Sequence, residues 1–125
     1  MTIEVAPVTT PEYVIVLTTL PADPDVAAAF ARTLVEERLA ACVNVMGEMQ
    51  SVYVWEGHVE DEPEQQIVIK TTRERLLALW ERVRELHSYE VPEFLVLPIV
   101  DGSEAYLHWM KQWTTGSTEP QADEM

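Results

Sequence analysis

The sequence predicts an α+β domain, and three observations predict it. Strand-like and helix-like runs follow one another in the order β-α-β-β-α-β, with a short extra helix at the end. Each main helical run carries one apolar face with a repeat near 3.6 residues. Two strand runs, Val14-Ile15-Val16-Leu17 and Leu95-Val96-Leu97 with Ile99, are apolar at successive positions instead of alternating. Such runs are found in strands covered on both faces. The element order is that of the ferredoxin-like, split-βαβ arrangement.

Taken in order, Glu12 to Leu20 is β-rich and long enough for one strand. Asp23-Pro24 opens the first helix, with Asp23 as cap and Pro24 at the first helical position. Val26, Phe30 and Leu34 recur at four-residue spacing, with Ala27, Ala31 and Val35 beside them, and the helix is expected to fade near Arg38. Cys42 to Tyr53 reads as a strand interrupted at Gly47, where a glycine marks a bulge or bend. Trp55-Glu56-Gly57-His58 reads as a hairpin turn, and Gln65 to Lys70 as the next strand. Thr71 and Glu74 have capping-box spacing for a second helix, which carries Leu76, Leu77, Trp80, Val83 and Leu86 on one side. Val91-Pro92 stops it from continuing. Phe94 to Val100 is the fourth strand, and Pro98 within it marks a sheet edge. Asp101 and Glu104 are expected to cap a last helix bearing Tyr106, Leu107 and Met110. Residues 12–114 make a single domain, flanked by a loose arm over 1–11 and a polar tail over 115–125.

The chain has 125 residues, 47% of them hydrophobic, enough for one real core. Its 22 acidic and 8 basic residues give a net charge of -14. Polyphosphate backbones are repelled by such a surface and cations attracted, which argues against nucleic-acid binding. No apolar run approaches the roughly 20 residues of a membrane helix, and Met1-Thr2-Ile3-Glu4 does not read as a signal peptide. A single cysteine, Cys42, cannot close a disulfide within the chain. These features together point to a reducing cytoplasm. With both main helices on one face of the sheet, the doubly apolar strands need a second cover. The short last helix reaches only part of that face, so a subunit interface is expected.

Few residues offer chemistry. Cys42 is a soft ligand suited to Cu(I), with Met46 and Met49 as possible partners, or else a small core residue. With His87 it makes the candidate metal pair. Lys70 closes an apolar strand and needs water or a carboxylate, and Glu93 is the candidate partner. Trp55, Lys70, His87, Tyr89 and Glu93 are therefore grouped as a pocket between subunits, with an interfacial ion pair as the plainer alternative. Glu56 to Glu64 is acidic and reads as a solvated hairpin tip or a loose divalent-ion site. Trp55, Trp80, Trp109 and Trp113 read as packing residues, with no cofactor box among them. No GxSxG, P-loop, HExxH or dinucleotide glycine pattern occurs, so no enzyme activity is expected.

Five segments, in order, resemble the CutA family. They are Leu34-Val35-Glu36-Glu37-Arg38-Leu39-Ala40-Ala41-Cys42-Val43-Asn44, Ser51-Val52-Tyr53-Val54-Trp55-Glu56-Gly57, Ile67-Val68-Ile69-Lys70-Thr71-Thr72, His87-Ser88-Tyr89-Glu90-Val91-Pro92-Glu93 and Tyr106-Leu107-His108-Trp109. Ser88 stands where that family commonly has proline, and His58 where it often has lysine. The resemblance implies ferredoxin-like homotrimers, divalent-metal tolerance and copper binding, with no obligatory cofactor. It also implies an alternative: a module like the PII signalling proteins, which holds a small molecule or a partner's loop in an intersubunit cleft.

Overall fold

The structure, a computed structural model, describes residues 11–116. Its elements are β1 (Tyr13–Pro21), α1 (Pro24–Glu36), β2 (Cys42–Trp55), β3 (His58–Thr72), a single 3-10 turn (Arg73–Arg75), α2 (Leu76–Leu86), β4 (Leu95–Pro98) and α3 (Glu104–Thr114). The four strands form one sheet in the order β2-β3-β1-β4, and every neighbouring pair is antiparallel. The arm expected over 1–11 and the tail over 115–125 lie outside the described residues, except for Pro11, Thr115 and Gly116. No helix among the described residues is long and apolar enough to cross a membrane.

Both main helices pack on one sheet face. Val14, Val16 and Leu20 of β1 and Ile67 and Ile69 of β3 meet Ala27, Phe30 and Leu34 of α1 and Leu79 and Val83 of α2 in one buried cluster. Asp23 caps α1 as its sequence implies, accepting hydrogen bonds from the Asp25 and Val26 amides. The stripe is rotated from the expected one, however, because Val26 is exposed and Ala27 takes the buried place. A similar rotation occurs in α2, where Leu77 points to solvent and Leu79 is buried. Thr71 is not a helix cap. Its side chain faces the core and donates to the Leu39 carbonyl at 2.7 Å, so α2 starts later, after the 3-10 turn. Ser103, not Asp101, caps α3 by accepting from the Tyr106 amide.

α1 ends at a left-handed residue, Arg38, with φ of 60°. That is the usual way a helix is stopped, although glycine is the usual residue there. α3 supports this arginine: its guanidinium lies 3.9 Å from the centre of the Trp113 ring and donates to the Trp113 carbonyl. Trp113 in turn donates its indole N–H to the Val35 carbonyl at 2.8 Å. α3 also meets β3 through the Thr72–Thr114 hydroxyls. By strand alternation Thr72 shares its face with Val68 and Lys70, the face away from α1 and α2. That second face also carries Ile15, Leu17, Leu95 and Leu97, and the two β4 leucines are exposed.

β3 is far longer than the six residues expected, because the acidic stretch His58–Glu64 is strand and pairs throughout with β2. Beyond Glu64, β1 no longer accompanies it. β2 and β3 continue as a two-stranded ribbon closed by Glu56 and Gly57, at φ 49° and 82°. Two consecutive positive φ values are the mark of a type I′ turn, whose twist matches that of the strands. A side chain at residue 57 would meet open space, so any penalty there is purely conformational. Replacing Gly57 with Ala is expected to lower stability by about 1–2 kcal/mol, read as a shift in denaturation midpoint at fixed protein concentration. An unchanged midpoint would show that the ribbon tip does not hold this turn.

Candidate ligand cleft

The ribbon owes its facing to an irregularity at the expected place. Met46 and Gly47 of β2 lie opposite the single residue Gln66 of β3, because the register shifts between Val45↔Ile67 and Glu48↔Gln65. One extra residue reverses the alternation of everything after it. Before the bulge, Val43 points to the helices and Cys42 away from them. After it, Met49, Ser51, Tyr53 and Trp55 point away, directly across from Glu64, Glu62, Glu60 and His58. The result is one continuous ribbon face that combines aromatic rings and carboxylates.

The segment after α2 forms the opposite wall. β4 pairs with β1 only as far as Leu17↔Leu95, and side chains take the next two carbonyls of β1. Gln66 donates to the Thr18 carbonyl at 2.7 Å, and His87 contacts the Thr19 carbonyl through Nε2 at 2.6 Å. The Tyr89 amide donates to His87 Nδ1 at 3.0 Å, which makes Nε2 the protonated nitrogen. His87 is buried and uses both ring nitrogens to anchor this segment to β1. The anchored segment then presents Tyr89, Glu90 and Glu93 to the ribbon. Between the two walls lies a cleft of about 820 Å³.

The cleft contains Trp55, Tyr89 and Glu93, three of the five residues grouped from sequence, but not Lys70 or His87. His87 stands behind the wall. Lys70 lies four residues along β3 from Gln66, about 13 Å at the strand rise, cross-strand from Cys42 and Ile15. Glu60, Glu62 and Glu64, which the sequence offers as part of a solvated hairpin tip or a loose divalent-ion site, are strand residues that line the cleft, with Glu90 and Glu93 across from them. Glu90 is the lining carboxylate that the sequence reading does not single out, and it carries no local signal for that place.

Neutral donors hold two of these carboxylates: Tyr89 donates to Glu64 at 2.7 Å, and Gln66 donates to Glu93 at 3.1 Å. Burial raises the Tyr89 hydroxyl above its ordinary value, and the bond to Glu64 and that group's charge add to the rise. Burial likewise raises Tyr53, with the neighbouring Glu62, Glu60 and Glu64 adding to the rise. None of the five glutamates forms an ion pair with Lys or Arg among the described residues.

As metal ligands, Cys42 and His87 are not brought together. Cys42 is half-buried on the face away from the helices, and both His87 nitrogens are occupied. Met46 sits in the bulge, four residues from Cys42, or about 13 Å along the strand, too far to share one ion. Among the described residues no three His, Cys, Asp or Glu side chains converge as a metal site requires. A single protomer therefore does not assemble the copper donor set expected from sequence.

Fold and site together define a small α+β protein with an acidic, aromatic-walled cleft and no group of three or more His, Cys, Asp or Glu placed to hold a metal among the described residues. The CutA1 divalent ion tolerance protein family matches residues 14–113, and the chain belongs to that family. It is 45% identical over 100 residues to the divalent-cation tolerance protein CutA of Thermus thermophilus, covering 80% of this chain and 96% of that one. It is 42% identical over 101 residues to the chloroplastic protein CutA of Arabidopsis thaliana, where it spans 81% of this chain and 55% of that one. The Thermus thermophilus structure superimposes with a TM-score of 0.76, covering 78% of this chain and 94% of that one. CutA1 from Shewanella sp. SIB1, at 37% identity, superimposes with a TM-score of 0.81 over 85% and 98%.

The raised tyrosine sets a pH expectation. A group whose folded value lies above its unfolded one contributes stability in full below the unfolded value, here the ordinary 10.0, and loses it as pH rises through the folded value. The parent protein should lose more stability above about pH 10 than Tyr89→Phe. At neutral pH the variant should be weaker by roughly 1 kcal/mol for the lost bond to Glu64. Parallel alkaline limbs in denaturation-against-pH curves would show that Tyr89 ionises freely.

Proposed function

We propose that this protein serves divalent-cation tolerance as a cytoplasmic homotrimer of ferredoxin-like protomers. It has no reaction of its own, and the acidic cleft is its ligand seat, in the manner of a PII-like module. The observation that carries the reading is the set of five glutamates lining one cleft, with no Lys or Arg in that lining among the described residues. The ferredoxin-like description rests on β1 lying between β3 and β4 in an antiparallel sheet with both main helices on one face. Trimer formation is supported by the apolar second face and by exposed Val52, Val54 and Val59 on the other side of the ribbon. Patches of this kind favour association. A cytoplasmic location is supported by the lone thiol and the acidic composition.

Light scattering should give about three times the chain mass of 14.2 kDa, undiminished on dilution to micromolar concentration. A monomer mass there would reject the trimer.

A second reading keeps copper at Cys42. It is favoured by the sulfur's place on the second face, across from Lys70, where subunits would meet and other chains could complete a donor set. Under that reading Cu(I) binds stoichiometrically in the parent, and Cys42→Ser weakens it sharply, since a thiolate is the softest ligand present. Equal affinity in both proteins would leave Cys42 as a packing residue.

A further inference from the structure

One imidazole holds the second wall of the cleft, and it does so partly as an acceptor. His87 is buried, 8% exposed, at the C-terminal cap of α2. Its Nε2 N–H donates to the Thr19 carbonyl of β1 at 2.6 Å. Its Nδ1 accepts from the Tyr89 amide at 3.0 Å. Tyr89 packs its ring on the imidazole at 4.8 Å and sends its hydroxyl to Glu64 on the opposite wall. Only the neutral ring with its proton on Nε2 makes both bonds.

Histidine is the side chain whose charge ordinarily changes between about pH 5 and 8. A proton added at Nδ1 makes that nitrogen a donor facing the donor amide of Tyr89, and the bond is lost. Turning the ring over does not restore it, because an imidazolium has two N–H groups and no acceptor. The bond to the Thr19 carbonyl survives and gains from the charge. The ring therefore stays on the sheet, and the whole loss falls on the link to Tyr89. The segment after α2 brings Tyr89 and Glu90 to this region. β3 brings Glu64 through the Tyr89 hydroxyl, and Gln66, opposite Thr19, which holds Glu93. On α2, Arg82 is paired with Glu37 and Glu85, and Arg84 lies over the Trp80 ring. The buried positions of α1 are Ala27, Phe30 and Leu34, none of which titrates.

We propose that His87 is a pH-sensitive latch on the cleft. Neutral, it clamps the wall that carries Tyr89 to β1; protonated, it releases Tyr89 and the cleft loosens on that side. The latch follows from the hydrogen-bond roles of one ring and does not depend on the cleft being a ligand seat. The ties that remain across the cleft, Tyr89 to Glu64 and Gln66 to Glu93, are between side chains, so the part released is the backbone at Ser88 and Tyr89. Ser88 lacks the ring with which proline would fix that backbone, and so permits the movement.

The test is hydrogen exchange at the Tyr89 amide of the full-length protein, followed across the histidine range from about pH 8 to about pH 5.5. Comparing each rate with that of an unstructured peptide at the same pH gives the protection. Protection should fall by roughly tenfold on acidification, the equilibrium worth of one hydrogen bond. It should stay level in His87→Asn, because an asparagine side chain accepts from the amide two residues on and does not titrate. In Glu64→Gln, which keeps an acceptor for the Tyr89 hydroxyl, it should fall as in the parent. Protection that is constant in the parent, falls equally in His87→Asn or stops falling in Glu64→Gln would overturn the latch. If His87→Asn fails to fold, the ring-nitrogen shifts of the parent, read by NMR, decide instead. Nδ1 gaining its proton in step with the loss of protection supports the latch. Nδ1 staying unprotonated while protection falls overturns it.

Discussion

One surplus residue in β2 governs the geometry on which the cleft depends. Because Met46 and Gly47 share one partner in β3, the strand's alternation reverses at that point. Cys42 and Tyr53 would point to opposite faces without the bulge, being an odd number of residues apart; with it, both point away from the helices. The aromatic side chains of β2 are thereby set opposite Glu60, Glu62 and Glu64. Removing the extra residue would turn Tyr53 and Trp55 to the ribbon's other side and bring Val52 and Val54 among the carboxylates. The cleft would then lose Tyr53 and Trp55 from its wall in one step.

The ribbon also explains how an acidic, proline-containing stretch can be a strand. Glutamate and proline are poor strand formers, and Pro63 lacks the amide a central strand needs. Pro63 pairs with Gln50 of β2, while β1 ends its pairing one residue earlier in space, at Pro21↔Glu64. Only one side of β3 is therefore occupied there, and a residue without an N–H is tolerated at such an edge. Pro98 in β4 is accommodated in the same way at the sheet's outer edge.

Where local chemistry decides, the structure could be read from the sequence. Asp23-Pro24 opens α1, Gly47 marks the bulge, Glu56-Gly57 closes the hairpin and Pro98 marks an edge strand. Tertiary contacts decided the rest. Thr71 and Glu74 have the spacing of a capping box, but core packing turns Thr71 inward to the Leu39 carbonyl. Val26 fits the helical repeat as well as Ala27, and the choice between them depends on how α1 sits on the sheet. The sequence pairs Lys70 with Glu93, across subunits, because a lysine closing an apolar strand needs water or a carboxylate. In the protomer Glu93 turns instead to Gln66, a residue with no local signal for that role. His87 reads from sequence as a ligand, whereas in the protomer both its ring nitrogens are hydrogen-bonded behind the cleft wall.

That place also resolves a departure from the family pattern. Proline after the histidine would restrict the backbone of the segment leading to the cleft, and serine at 88 gives up that restriction. The hydrogen bond from the Tyr89 amide to His87 Nδ1 spans Ser88, closing the turn through a side chain instead. The same ring is tied at its other nitrogen to the Thr19 carbonyl, which belongs to β1 in the rigid sheet. Backbone freedom at Ser88 is thus limited from both ends by one imidazole, whose ring packs against Tyr89 at 4.8 Å. With Tyr89 fixed in this way, its hydroxyl reaches Glu64 and joins the two walls of the cleft. A buried histidine with no free nitrogen thereby shapes a cleft that it does not itself line.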